Sequence, residues 1–186
     1  MARRGGRNGG RRRAGPGVRP TEGRVREALA NIWWPRLEGA RVLDLFAGTG
    51  DVGLELLSRG AGSLVLVDGG APVVAAIRRR LAERPDAFDG TAVAIRRLDL
   101  PAGLGRLAPS AYDLIFADPP YDFEGYVDLL AGAAPLASPG AQMVIEHRAS
   151  RDVEAAPPWR PVDRRRYGDC ALSFFELAAG DGASSR

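Results

Sequence analysis

Short apolar runs that end in or beside an aspartate recur along this chain, and their repetition limits the folds open to it. Arg41 to Phe46 is one such run, with Asp44 near its end. Ser63 to Val67 ends in Asp68, Ala92 to Arg96 leads to Asp99, and Tyr112 to Ala117 ends in Asp118. Segments with helical spacing lie between them. Near-continuous apolar strands that alternate with helices form a parallel sheet covered on both faces. The last part differs: Pro161 to Arg166, the turn Tyr167-Gly168-Asp169 and Ala171 to Leu177 read as a hairpin with no helix between its strands. With Gln142 to Glu146 as a further strand, the expectation is a single α/β domain. It holds a doubly wound, mostly parallel seven-stranded sheet closed by an antiparallel C-terminal hairpin.

The helices follow from spacing and stop signals. Thr21 after Pro20 is a suitable N-cap; Val25, Leu29, Ile32 and Trp33 then share one face, and Pro35 should end the helix before it. A second helix is expected from Asp51 to Arg59, stopped by Gly60. Pro72 to Arg84 should bury Val73, Ala76, Ile77 and Leu81, and Glu124 to Ala134 should bury Val127, Leu130 and Ala134. Trp33, Trp34 and Trp159 are expected to be packing residues.

Charge is segregated. All 26 basic residues are arginine, which with the Ala, Gly and Pro richness reflects a compositional bias. Residues 1–26 hold nine arginines against Glu22 alone, whereas the remainder carries an excess of acids. The chain is therefore expected to comprise a flexible Arg/Gly-rich arm over 1–18, a folded domain over 19–178 and a disordered tail over 179–186. Such an arm has nothing apolar to bury and is drawn to polyanions. A single cysteine, Cys170, excludes an intramolecular disulfide and points to a reducing cytoplasm. No apolar run approaches the roughly 20 residues that span a bilayer. No membrane partner, no metal and a monomeric state are expected.

In doubly wound sheets ligands bind at the carboxyl ends of the strands, where the four aspartates collect. The turn after the first strand reads Asp44-Leu45-Phe46-Ala47-Gly48-Thr49-Gly50-Asp51-Val52-Gly53. Gly48, Gly50 and Gly53 satisfy G-x-G-x-x-G, and Asp68 stands where a ribose-binding acid belongs. The pattern also fits a nicotinamide dinucleotide. Against that, Asp44 suits a cationic amino group, and Asp51 at the helix start would repel a pyrophosphate.

Asp118-Pro119-Pro120-Tyr121 follows the apolar strand Leu114 to Ala117. Two prolines stiffen the chain and remove two N–H donors. The Asp118 carboxylate and the Pro119 carbonyl remain as acceptors, which suits an –NH2 group. Held in two directions, a poorly nucleophilic aromatic amine can be aimed at a methyl donor. Tyr121 can stack on an unpaired base.

From about Arg19 to Leu177 the chain resembles the bacterial family of small-subunit ribosomal RNA guanine-N2 methyltransferases. The resemblance rests on Arg19-Pro20-Thr21 with Arg24-Val25-Arg26-Glu27, on the Asp44 to Gly50 turn with Gly53-Leu54-Glu55, on Leu57-Ser58-Arg59-Gly60, on Asp118-Pro119-Pro120-Tyr121 and on Tyr167-Gly168-Asp169. It implies a Rossmann-like methyltransferase fold, S-adenosylmethionine as donor and a guanine of 16S rRNA in the small subunit as target. On that resemblance Asp44, Phe46, Ala47, Gly48 and Gly50 are expected to hold the methionine part. Asp68 holds the ribose, and Asp99 with Leu100 the adenine. Asp118, Pro119, Pro120 and Tyr121 form the catalytic motif, and Arg19, Thr21, Arg24 and Arg26 face RNA. The sequence departs from the family in its Gly/Arg arm, in Gly69-Gly70 after Asp68 and in Asp51. An adenine-N6 methyltransferase of DNA, a nicotinamide-dependent oxidoreductase and a non-catalytic RNA-binding factor remain as alternatives.

Overall fold

The computed structural model describes residues 20–83, 92–109 and 111–178. The arm, Arg19 and the tail lie outside the described residues, as do the side chains of Pro20, Thr21 and Glu22. In chain order the elements are α1 (Pro20–Leu37), β1 (Arg41–Leu45), α2 (Asp51–Ser58), β2 (Ser63–Asp68), α3 (Ala71–Ala82) and β3 (Ala92–Arg97). They continue with β4 (Tyr112–Ala117), α4 (Tyr126–Ala133), β5 (Ala137–Arg148), β6 (Trp159–Tyr167) and β7 (Cys170–Leu177).

The sheet order is β3-β2-β1-β4-β5-β7-β6. β1 to β5 run parallel, and β7 is antiparallel to both β5 and β6. This is the expected doubly wound architecture with its closing hairpin. The chain winds outward from β1 to β3 and then returns to β4 beside β1. The switch point therefore lies between β1 and β4, with Leu45 opposite Ala117.

Successive strand residues feed two separate cores, one on each face. Val42, Leu114, Phe116, Val144 and Phe174 pack with α1 and α2 on one side. Leu43, Leu45, Ile115, Met143, Ile145 and Phe175 pack with α4 on the other. Burying each large side chain of these contributes about 1.5–3 kcal/mol. Indole hydrogen bonds tie helices to the sheet: Trp33 Nε1 donates to Gln142 Oε1, and Trp159 Nε1 donates to the Leu130 carbonyl at 2.8 Å. At the amino end of the sheet Asp113 accepts from Arg41 at 2.9 and 3.0 Å and from the Ser138 hydroxyl at 2.6 Å. The Arg41 guanidinium holds the Asp113 carboxyl well below the usual carboxylate range.

Several local expectations are corrected. α1 starts at Pro20, which places Thr21 inside the helix and not at its cap, and runs through Pro35 to Leu37. Proline removes one backbone bond near the end of a helix, and the fully buried Trp33 and Leu37 hold that turn against the core. α3 buries Val74 and Ile77, whereas Ala76 is exposed. α4 begins two residues later than the periodicity predicts and buries Tyr126, Leu129, Leu130 and Ala133, leaving Val127 53 % exposed. Trp34 is 62 % exposed and packs no core. β5 is longer than Gln142 to Glu146 at both ends.

The α1–β1 and α2–β2 connections are sewn together by Gly39 N–H to the Gly60 carbonyl and Gly62 N–H to the Ala40 carbonyl, both at 2.9 Å. A Cβ on Gly62 would meet the Gly39 carbonyl oxygen at 2.7 Å, backbone against backbone. Gly62→Ala should lower stability by about 1–3 kcal/mol, the cost of forcing an extra methyl into packed atoms. Thermal unfolding measures this, and an unchanged midpoint would show that the two connections are not held this closely.

Candidate active site

Five strands, β1 to β5, deliver a carboxylate to the carboxyl end of the sheet. Phe46 and Asp118 leave the ends of β1 and β4 side by side, and Asp118 N–H reaches back to the Leu45 carbonyl at 3.3 Å. A cleft of about 570 Å³ opens there, lined among others by Gly48, Asp68, Asp99, Asp118, Tyr121 and Glu146. Its size suits a nucleoside-sized ligand. A second cavity adjoins it on the α1 side and is lined by Asp44, Ala47, Asp51 and Arg26 together with Asp118 and Glu146.

The glycine-rich turn is built for close approach. Gly48 and Gly50 have φ of 52° and 76°, and Gly50 is the N-cap of α2. Such left-handed backbone is cheap only without a Cβ. Phe46 adopts φ 59°, an uncommon state for a bulky residue, and its ring meets Phe123 edge-to-face at 5.3 Å. Gly53 is needed for packing: a Cβ there would lie 2.8 Å from Leu64 and Leu66 and 2.9 Å from Asp44 Oδ2.

Asp44 is 1 % exposed and accepts the Gly53 amide hydrogen on Oδ2 at 3.0 Å. Burial drives its pKa up to about 7; the Gly53 hydrogen bond opposes this, and the charges of Asp118 and Asp68 add to it. Asp68 ties two loops together, accepting Gly48 N–H at 3.1 Å and Gly70 N–H at 2.8 Å. Asp99 is exposed at the cleft wall beside the half-buried Leu100. Asp51, in the lining of the second cavity, is held by its neighbours. It accepts from Thr49 at 2.7 Å and from Arg80, with Arg26 at 4.0 Å. Burial raises its carboxyl, but the Thr49 hydroxyl and the Arg80 guanidinium outweigh burial and hold it low.

In the Asp118-Pro119-Pro120-Tyr121 segment Pro119 is buried, and Asp118, Pro120 and Tyr121 are exposed, Tyr121 by 51 %. Arg148 lies 4.8 Å from the Tyr121 ring centre and donates from Nε to the Tyr121 carbonyl at 3.4 Å, bracing the segment. The fold thus gathers Asp44, Phe46, Ala47, Gly48, Asp68, Asp99, Leu100 and the tetrapeptide into two adjoining cavities, whereas Gly50 is buried and lines neither. Of the expected RNA contacts, Arg24 is exposed and Arg26 is turned toward Asp51.

Glu146 and Arg148 were not anticipated as site residues. The signal for Glu146 was present: it ends the apolar run Gln142 to Glu146 as Asp118 ends the previous one. Among the described residues no group of three or more His, Cys, Asp or Glu is arranged to hold a metal ion, and no helix is long and apolar enough to cross a membrane.

A ring of carboxylates repels anions and welcomes cations. That disfavours a dinucleotide pyrophosphate, and the N-terminus of α2, where one would sit, carries Asp51. The same ring fits a cofactor that carries an ammonium and a sulfonium.

Comparison with known proteins agrees. A relative in Escherichia coli strain K12, ribosomal RNA small subunit methyltransferase D, is 35 % identical over 168 residues, 88 % of this chain and 82 % of the relative. The Bacillus subtilis protein YlbH is 47 % identical over 55 residues, and the chain spans 30 % of that relative's length there. A conserved protein of Streptococcus pyogenes superposes with a TM-score of 0.72 at 28 % identity, covering 82 % of this chain and 95 % of its own. The family described as Conserved hypothetical protein 95 matches residues 5–176. This chain belongs to that family.

Proposed function

We propose that this protein transfers a methyl group from S-adenosylmethionine to the exocyclic N2 of a guanine in 16S rRNA, acting in the cytoplasm as a monomer on the small ribosomal subunit or its assembly intermediate. The Escherichia coli relative carries the name of a small-subunit rRNA methyltransferase, and the coarser statement, methylation of rRNA, follows from kinship with it at this identity and coverage. The choice of guanine N2 rests on the resemblance of the motifs. The observation that carries the chemistry is the meeting of Asp118 and Pro119, at the end of β4, with the carboxylate-ringed cavity beside the glycine turn.

Bound there, S-adenosylmethionine would supply a methyl group on a sulfonium, which leaves with its electron pair on sulfur. Asp44 and the turn Phe46-Ala47-Gly48 would receive the methionine end, Asp68 the ribose hydroxyls, and Asp99 with Leu100 the adenine. The Asp118 carboxylate and the Pro119 carbonyl accept both hydrogens of the target amine, fix its direction and stabilise the positive charge that grows on nitrogen. The surplus proton leaves along the Asp118 hydrogen bond to water. Pro120 keeps the segment stiff, and Tyr121 stacks on the base after it leaves its helix. Arg19, Thr21, Arg24 and Arg26 are assigned to RNA contact at the start of the domain.

Division of labour provides one test. Asp118→Ala should cut methyl transfer to unmodified small subunits by about 100-fold or more while S-adenosylhomocysteine binding changes little. Asp68→Ala should weaken that binding by about tenfold or more, since it loses both the ribose acceptor and the Gly48 anchor. Calorimetry beside a tritium-transfer assay distinguishes them, and parallel losses in both variants would count against these roles.

The Asp44 carboxyl provides another. Its pKa rises on folding to about 7, so the folded state binds an extra proton and stability falls as pH climbs from about 4 to 7. An ammonium binds the ionised form, so affinity for S-adenosylhomocysteine should rise about tenfold between pH 6 and pH 8. Asp44→Asn should flatten this profile, and a flat profile in the unaltered protein would remove Asp44 from the ammonium site.

A further inference from the structure

We infer that Glu146 is the residue that selects guanine, by accepting its N1–H beside the amine held at Asp118. The inference rests on the guanine-N2 reading above. β5 lies parallel to β4 with Ala117 opposite Ile145, so Asp118 and Glu146 are the next neighbours at the carboxyl ends of the two strands. Both line the main cleft and both line the cavity that reaches Asp44. Their fields overlap at one buried atom: the Cys170 thiol is pushed up to about 12, by burial first, then by Glu146, with Asp118 adding to it. The thiol itself donates to the Tyr167 carbonyl at 3.3 Å, at the turn between β6 and β7. On β5, two residues beyond Glu146, Arg148 braces Tyr121, the expected stacking ring.

Two acceptors side by side define a base by its edge. On guanine the N2 amine is flanked by N1–H, a second donor. On adenine and cytosine the amine is flanked by a ring nitrogen with a lone pair, which would face the Glu146 carboxylate and be repelled. Among amine-bearing bases only guanine presents two adjacent donors to Asp118 and Glu146. A site built to pair a donor rejects an analogue without it far more strongly than a shape difference would.

The test uses 2-aminopurine, which keeps the N2 amine but carries a lone pair at N1. Small subunits are reconstituted with 16S rRNA holding guanine or 2-aminopurine at the nucleotide that the unaltered protein methylates. The unaltered protein should prefer guanine by about 100-fold or more in kcat/KM. Glu146→Gln, whose amide donates to the N1 lone pair, should narrow that ratio to about tenfold or less while binding S-adenosylhomocysteine within about threefold of the original. A ratio unchanged in a variant that still binds would overturn the inference. So would equal use of both bases by the unaltered protein, a result that holds even if the variant fails to fold. Failure of the unaltered protein to form N2-methylguanine on any subunit would overturn the functional reading itself and is seen separately, by mass spectrometry of the nucleosides.

Discussion

The approach of α2 to the β1–β2 pair organises this molecule. Gly53 brings the helix backbone so near the sheet that a methyl group would strike Leu64, Leu66 and the Asp44 carboxylate at once. In that gap the Gly53 amide hydrogen meets Asp44, the carboxylate buried in β1. A buried charge with a single backbone donor is uncomfortable, and its raised pKa expresses that discomfort. The chain before the helix must then turn within a few residues, which is why Gly48 and Gly50 take left-handed backbone and why Phe46 is drawn there too. The cavity floor, the loop that covers it and the unspent demand for a positive partner all follow from this one contact.

Electrostatics then separates the candidate ligands. Asp44, Asp68 and Asp118 come from three strands, and the last two both raise the cost of ionising Asp44. Such a cluster is unfavourable in the empty protein and is relieved by a cation. The carboxyl ends of parallel strands are where a doubly wound sheet places ligands of many kinds, so the fold alone names no cofactor. The acids name its charge. The Asp118 segment, braced by Arg148 from β5, adds the Asp118 carboxylate and Pro119 to the lining of the same cleft.

Much of this was legible in the chain. The strands, their order of appearance and the closing hairpin follow from apolar runs and turn residues, because strand burial on both faces leaves a continuous signal. The glycine turn and the four aspartates were readable because each aspartate lies within two residues of a strand end. Helix faces were read less well. In α3 and α4 apolar residues lie on more than one side, so periodicity admits several stripes, and packing chose Val74 over Ala76 and Tyr126 over Val127. Pro35 marks a helix end by local chemistry, yet the buried Trp33 and Leu37 on either side carried the helix past it.

What the sequence determined by itself is therefore local: where strands end, which turn needs glycine, and which tetrapeptide is stripped of donors. What only the tertiary structure decided is adjacency. Asp118 and Glu146 are 28 positions apart and become neighbours because β4 and β5 pair in parallel register. Arg148 reaches Tyr121 by the same pairing, and Arg26 faces Asp51 because α1 lies against α2. Spacing along a chain encodes periods of two and 3.6 residues. Strand pairing across a crossover depends on the whole sheet finding its register, and no local pattern carries that information.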